Sequence, residues 1–204
     1  ILICPSEVAD AEMRMFNLDG SEGAMCGNGI RCVAKYLFDN GIAKGQKVGE
    51  GRHVLHIDTK SGVKECTVIT KNGLVSKVTV DMGKAELAPE KVPVRLEGEK
   101  VVNKPISIGG NVYRITCCSM GNPHCTVFVP SVDKLDLEDL GPKFEHDPMF
   151  PDRVNVEFVE VIDQHTLKAR IWERGSGETM ACGTGTCAAV VAATLNGYCE
   201  KGKD

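Results

Sequence analysis

Alternation of apolar and polar residues with a period of two dominates the chain. It predicts strands over residues 54–59, 67–70, 77–81, 112–117, 125–129, 154–161 and 167–172, most of them bounded by Gly, Pro, Asn or Asp. The chain also opens, at Ile1, in what reads as a strand. Lys71-Asn72-Gly73 between two alternating runs predicts a tight hairpin. Two segments switch to a helical period. Ile30, Val33, Ala34, Leu37 and Phe38 form an i, i+3, i+4, i+7, i+8 stripe. Residues 186–195 are apolar nearly all round, which predicts a deeply buried helix. A short acidic helix is expected over 132–140, stopped by Gly141-Pro142. Residues 89–105, with three prolines and a cluster of charges, read as a linker. The expected domains are therefore residues 1–93 and 94–204.

The two helical segments are related. Cys26-Gly27-Asn28-Gly29 opens the first and Cys182-Gly183-Thr184-Gly185 opens the second. Asn40-Gly41 and Asn196-Gly197 close them at the same offset. The shared features imply an internal duplication with a period of 156 residues. Two full copies would need about 312 residues, so about 108 are expected to be missing, from both ends, making this chain the middle of a longer one.

Composition adds limits. The 204 residues are 42% hydrophobic, enough for a sizeable core, and carry 24 Lys+Arg against 28 Asp+Glu, a net charge of −4. A mildly acidic balance gives no electrostatic footprint for nucleic acid. The longest apolar run, Ala188 to Ala193, is far below the roughly 20 residues of a membrane span. Ten cysteines are many, but no signal segment accompanies them, so a reducing cytosol is the expectation. No two are spaced Cys-x-x-Cys, and His53 and His56 point to opposite faces of a strand, so no metal site is expected. Cys4, Cys32, Cys66, Cys117, Cys118, Cys125, Cys187 and Cys199 read as core fillers.

The duplicated turns carry the candidate chemistry. A cysteine at a helix N-terminus is expected to have a lowered pKa and so to serve as a base. Glycines let a substrate approach the backbone, and the first-turn N–H groups of residues 27–28 and 183–184 suit a carboxylate. Two such turns facing each other would let one thiolate remove a proton from a carbon while the other thiol returns one on the opposite face. Such an inversion needs no electron-sink cofactor, and the facing thiols are expected to be prone to disulfide formation when no substrate lies between them. A lone Cys-Gly-x-Gly turn is most often a packing cysteine; the repeat is what raises its weight. Dinucleotide binding fails, because Gly175-x-Gly177 would need Gly where Met180 stands.

These residues carry a resemblance. Phe16 to Ser21 followed by Met25 to Cys32 resembles the first signature of the diaminopimelate epimerase family. Ser119-Met120-Gly121-Asn122-Pro123-His124-Cys125 resembles its second block and Arg153-Val154-Asn155 its third. Glu173 to Thr179 with Ala181 to Gly185 resembles the fourth. The resemblance implies an α+β fold of two pseudo-symmetric domains, each a mostly antiparallel β-barrel-like sheet around a central helix, both incomplete here. It implies interconversion of LL- and meso-diaminopimelate, toward lysine and peptidoglycan, without a cofactor. Cys26 and Cys182 match the two bases, and His124 and Glu173 the pair that sets their protonation. Gly27, Asn28, Gly183 and Thr184 match the cradle of the reacting carboxylate. Asn17, Asn122, Asn155 and Arg174 match the groups that hold the distal end of the substrate, and Glu173 also matches a substrate-binding position. An opening Gly-Asn-Asp-Phe block and a later Asp-Gln block of the family are absent. Outside the four-block context, His124 in an Asn-Pro turn would more often be a surface or satisfied histidine, and Asn155 between Val154 and Val156 could simply face solvent.

The small-molecule partner implied is diaminopimelate, with no nucleic acid or membrane; a homodimer and a cytoplasmic location (a plastid in a plant) follow from the family. Two rivals stand beside it. One is a two-cysteine racemase of histidine or proline, which a second amino-acid head on the substrate would argue against. The other is a non-catalytic binder, which has no need of paired thiols.

Overall fold

The apolar stripe at 30, 33, 34, 37 and 38 is the buried face of the first helix, α1 (Gly27–Asp39). In the computed structural model, which describes residues 1–17 and 20–202, this helix belongs to a unit spanning Ile1–Gly83. Its strands are β1 (Leu2–Cys4), β2 (Ala11–Phe16), β3 (Glu22–Gly23), β4 (Gln46–Gly49), β5 (Arg52–Asp58), β6 (Lys64–Lys71) and β7 (Leu74–Val80). They form one sheet in the order β1-β2-β5-β6-β7, with β3 on β2 and β4 on β5. Among the described residues only β2 and β5 pair in parallel. Leu55, Ile57, Cys66 and Val68 point to α1 and are fully buried, while Arg52, His56 and Glu65 face water, the one-sided alternation the sequence carries. The hairpin between β6 and β7 turns through Asn72 at φ 54° and Gly73 at φ 82°, the two positive values a two-residue turn of this hand requires.

The second unit spans Lys84–Asp204. Its strands are β8 (Lys104–Ile108), β9 (Asn111–Ser119), β10 (Pro123–Phe128), β11 (Asn155–Asp163), β12 (Thr166–Glu173) and β13 (Gly177–Thr179), and its helices α2 (Leu137–Glu145) and α3 (Gly183–Leu195). The sheet order is β13-β12-β11-β10-β9-β8; among the described residues only β10 and β11 pair in parallel. Alternate residues divide between the faces. Ile115, Cys117, Cys125, Val127, Val156, Phe158 and Trp172 join Leu137 and Phe144 of α2 in an apolar core. Thr116, His124, Thr126, Asn155 and Glu157 hold the opposite face and are just as buried. The chain is thus α+β, two sheets each with a helix whose N-cap is a cysteine.

Three expectations are corrected. Residues 89–105 are not a linker: Val92, Val94 and Val101 are buried in the second core, so the boundary falls at Gly83–Lys84 and not at 93–94. The second helix starts later, at Leu137 behind the N-cap Asp136, and continues through Gly141 and Pro142. Glycine is needed there because a Cβ on Gly141 would lie 2.2 Å from the Trp172 ring. The third helix is not buried all round; Thr184, Gly185, Ala188, Ala189, Ala192 and Ala193 face inward, while Val190 is 48% exposed.

The duplication extends to individual bonds. Arg14 Nε donates to Glu22 at 2.8 Å, and Arg170 Nε donates to Glu178 at 2.7 Å. Asn40 Nδ2 donates to the Tyr36 carbonyl and Asn196 Nδ2 to that of Ala192, at 2.9 and 2.8 Å. Each pair is separated by the same 156 positions as the two cysteines.

Candidate active site

Each helix begins in the same way. Cys26 has extended backbone (φ −138°, ψ 108°) and its sulfur accepts the Gly29 N–H at 3.3 Å. Cys182 repeats this (φ −122°, ψ 116°), its sulfur accepting the Gly185 N–H at 3.3 Å. Glycine three positions on is required by crowding: a Cβ on Gly185 would meet Glu157 Oε1 at 2.9 Å and Ile171 at 3.0 Å. The two sulfurs differ in exposure, Cys26 half-buried and Cys182 buried.

The lowered pKa expected at a helix N-terminus does not hold for Cys182. Burial pushes its thiol up to about 12; hydrogen bonds from Thr184 and Gly185 pull against this, and the negative charges of Glu173 and Glu157 add to it. The protonated form is favoured because removing the sulfur from water outweighs the helix end.

In the first unit, Asn28 Oδ1 accepts from Arg31 at 2.6 Å, and Asn17, just past β2, donates through Nδ2 to Ser21 at 3.0 Å. Gly27 is buried in the first turn. Leu18 and Asp19 of the first signature lie outside the described residues. In the second unit the predicted residues form a connected group. Asn155, expected to face solvent outside its family context, is 4% exposed. Its Nδ2 donates to the Pro123 carbonyl at 2.8 Å and its Oδ1 accepts the Arg174 N–H at 2.9 Å. Arg174 Nη1 donates to the Asp152 carbonyl at 2.8 Å, which orients the guanidinium. Glu173 Oε1 accepts from the Thr179 hydroxyl at 2.5 Å. His124 is fully buried, bonded to Asn122 Oδ1 through Nε2 at 2.9 Å. Asn122 Nδ2 donates to Thr184 at 3.3 Å, and Thr184 Oγ1 is 3.4 Å from the Cys182 sulfur.

Two acidic residues were not anticipated. Glu157 is fully buried, with Oε1 2.6 Å from His124 Nδ1, and burial raises its pKa against the opposing pull of His124. Glu145 accepts from Trp172 Nε1 at 2.7 Å, the Gly175 N–H at 2.9 Å and Arg153 at 3.3 Å, so it fixes the turn that carries Arg174. Neither had a signal in the sequence: Glu157 alternates with Val156 and Phe158 as a solvent-facing residue would, and Glu145 lies in an acidic helix. All ten cysteines are free thiols, and Cys66, Cys117, Cys118 and Cys125 are buried as expected. Cys32 is exposed, because it sits on α1 opposite the apolar stripe. Among the described residues no cluster of three or more His, Cys, Asp or Glu is placed to hold a metal, and no helix is long and apolar enough to cross a membrane.

Comparison with known proteins fixes the family. The family described as Diaminopimelate epimerase matches residues 1–88 and 116–204. The chain belongs to the diaminopimelate epimerase family. It is 51% identical over 201 residues to the diaminopimelate epimerase of Acetivibrio thermocellus, covering 98% of this chain and 69% of that one. It is 50% identical over 205 residues to that of a Geobacillus species, covering 100% and 70%. Solved structures share the fold at lower identity. A probable proline racemase from Agrobacterium radiobacter superimposes with a TM-score of 0.75 at 17% identity, over 99% of this chain and 62% of that one. A hydroxyproline epimerase from Agrobacterium vitis gives 0.74 at 17% identity, over 99% and 61%. The diaminopimelate epimerase relatives make this protein an isomerase of the epimerase class.

Proposed function

We propose that the protein interconverts LL- and meso-diaminopimelate by proton transfer at the α-carbon between two cysteines, Cys26 and Cys182, in the cytoplasmic synthesis of lysine and peptidoglycan precursors. The observation that carries this reading is the repeated helix start, in which a cysteine sulfur accepts the N–H three residues on in both copies. In this reading one thiolate takes the α-proton, the carbon flattens, and the other thiol donates a proton to the opposite face. Configuration inverts, and the two sulfurs exchange protonation states. Buried Cys182, held as a thiol, is the resting donor.

The first-turn N–H groups of residues 27–28 and 183–184 receive the reacting carboxylate; in a helix these N–H groups have no intrahelical acceptor. Asn17, Asn122, Asn155 and Arg174 hold the distal amino-acid head, Arg174 through its planar fork. His124 and Glu173 adjust the thiols, and the working protein is a homodimer. The fold likeness to structures named proline racemase and hydroxyproline epimerase favours, as the second reading, a two-cysteine racemase of a smaller amino acid. Exchange of α-protons with deuterated solvent decides between them. Diaminopimelate is expected to exchange and proline is not, with exchange abolished by Cys26→Ala or Cys182→Ala. Exchange of proline alone would install the second reading, and turnover surviving either substitution would end the two-base mechanism.

A further inference from the structure

We propose that Glu157 is a positioning residue for Cys182, fixing through His124, Asn122 and Thr184 a hydrogen-bond chain whose last O–H points at the sulfur. The links are Glu157 Oε1 to His124 Nδ1 at 2.6 Å, His124 Nε2 to Asn122 Oδ1 at 2.9 Å, Asn122 Nδ2 to Thr184 Oγ1 at 3.3 Å and Thr184 Oγ1 to Cys182 Sγ at 3.4 Å. Their order is set by donor and acceptor chemistry. Asn122 turns its carbonyl to the imidazole, so His124 Nε2 must carry hydrogen. That holds when the Glu157 carboxylate faces an imidazolium, and equally when a protonated Glu157 donates to Nδ1. Asn122 then spends its N–H on Thr184 Oγ1, and the Thr184 hydrogen is left for Cys182.

The chain is built in. His124 and Glu157 are fully buried and Thr184 is 3% exposed. Glu157 reaches this position only because Gly185 has no side chain. Its second oxygen, Oε2, has no hydrogen-bond partner among the described residues, so Oε1 is the carboxylate atom that meets the imidazole. The proposal rests on the reading of Cys182 as an acid–base group. It adds that the donors facing the sulfur are already aimed when the proton leaves, so ionisation needs no rearrangement. Besides Glu157, Glu173 of β12 acts on Cys182; acting on or acted on by Glu157 are His124, Glu173 and the thiols Cys118 and Cys182, with Cys125 influenced from the other face of the sheet.

A Gln in place of Glu157 can turn either its carbonyl or its N–H toward His124 Nδ1. Nothing then fixes hydrogen on Nε2, so Asn122 and Thr184 lose their set order and the Thr184 hydrogen is no longer held on the sulfur. The test is the pH dependence of iodoacetamide alkylation at Cys182, followed by mass spectrometry of its peptide. Glu157→Gln is expected to slow alkylation near pH 8, where the fold holds, by about tenfold. The same substitution in a Thr184→Val background is expected to change nothing further. Faster alkylation would mean that Glu157 acts only as a nearby negative charge, and would overturn the chain, as would no change or a shift that survives Thr184→Val. Asn122→Ala cuts the chain without touching the buried carboxylate and must slow Cys182 in the same way even if Glu157→Gln fails to fold; an unchanged rate overturns the proposal. Alkylation reads the sulfur and not turnover, so its failure leaves the epimerase reading to the deuterium experiment.

Discussion

At the scale of single residues, Cys26 and Cys182 hold two jobs that substitution can separate. Each caps a helix with its sulfur, and each is a proposed acid–base group. Serine caps at least as well as cysteine but is a far weaker acid. Cys26→Ser is therefore expected to keep the thermal unfolding midpoint and lose epimerisation, whereas Cys26→Ala loses both, with about 1 kcal/mol of stability; calorimetry beside an activity assay separates them. The buried thiols also fix the alkaline limit of the fold. Cys66 and Cys182 are both pushed up to about 12 by burial, while in the unfolded chain they ionise near the ordinary thiol value. Folded pKa values raised above unfolded ones give stability that is complete below the unfolded value and lost as pH climbs toward the folded one. Denaturant titrations are expected to show stability falling from about pH 9 upward, by as much as about 1.4 kcal/mol per pH unit for each such thiol. The sequence disclosed the sulfurs because they repeat. It disclosed His124, Asn122 and Asn155 only through a family pattern, and Glu157 not at all. A glutamate in Val154-Asn155-Val156-Glu157-Phe158 reads as the wet face of a strand. What dries that face is α3 lying across it, a contact between residues far apart in the chain.

At the scale of elements, α2 shows how a stop signal can be overruled. Gly141-Pro142 ends most helices, yet here the glycine admits the Trp172 ring and the helix continues to Glu145. Proline costs one intrahelical bond, and the element is held instead by Glu145 accepting from the Trp172 indole. Gly141→Ala should destabilise the protein by about 3 kcal/mol through overpacking, despite alanine's better helix propensity; a stabilised variant in urea denaturation would show that the ring has room to move. The long strands β5, β6, β7, β9, β11 and β12 were legible because seven or more residues give alternation time to repeat. The three-residue β13 and the two-residue β3 give it none, although the equally short β1 at the opening of the chain was read as a strand. The five-residue β8 was hidden by the prolines and charges of the stretch before it.

At the scale of the molecule, the repeat was legible from a handful of residues, because a duplicated helix start keeps its cysteine, glycines and closing Asn-Gly. The boundary between the units was not. Composition marked 89–105 as exposed, but a few valines spaced among charges were enough to draw the segment into the second core. The small inner face of α3 has one further consequence. Ala188, Ala189, Ala192 and Ala193 are buried against the second sheet, so the helix rides on methyl groups and works as a spacer of fixed thickness. The height of the Cys182 sulfur above the strands is then set several turns away from any chemistry. Ala189→Leu would act as a shim. It touches no substrate, yet a displacement of about 1 Å at the helix start is expected to lower kcat on the order of a hundredfold, and steady-state kinetics with an unchanged fold would measure how finely that thickness is machined.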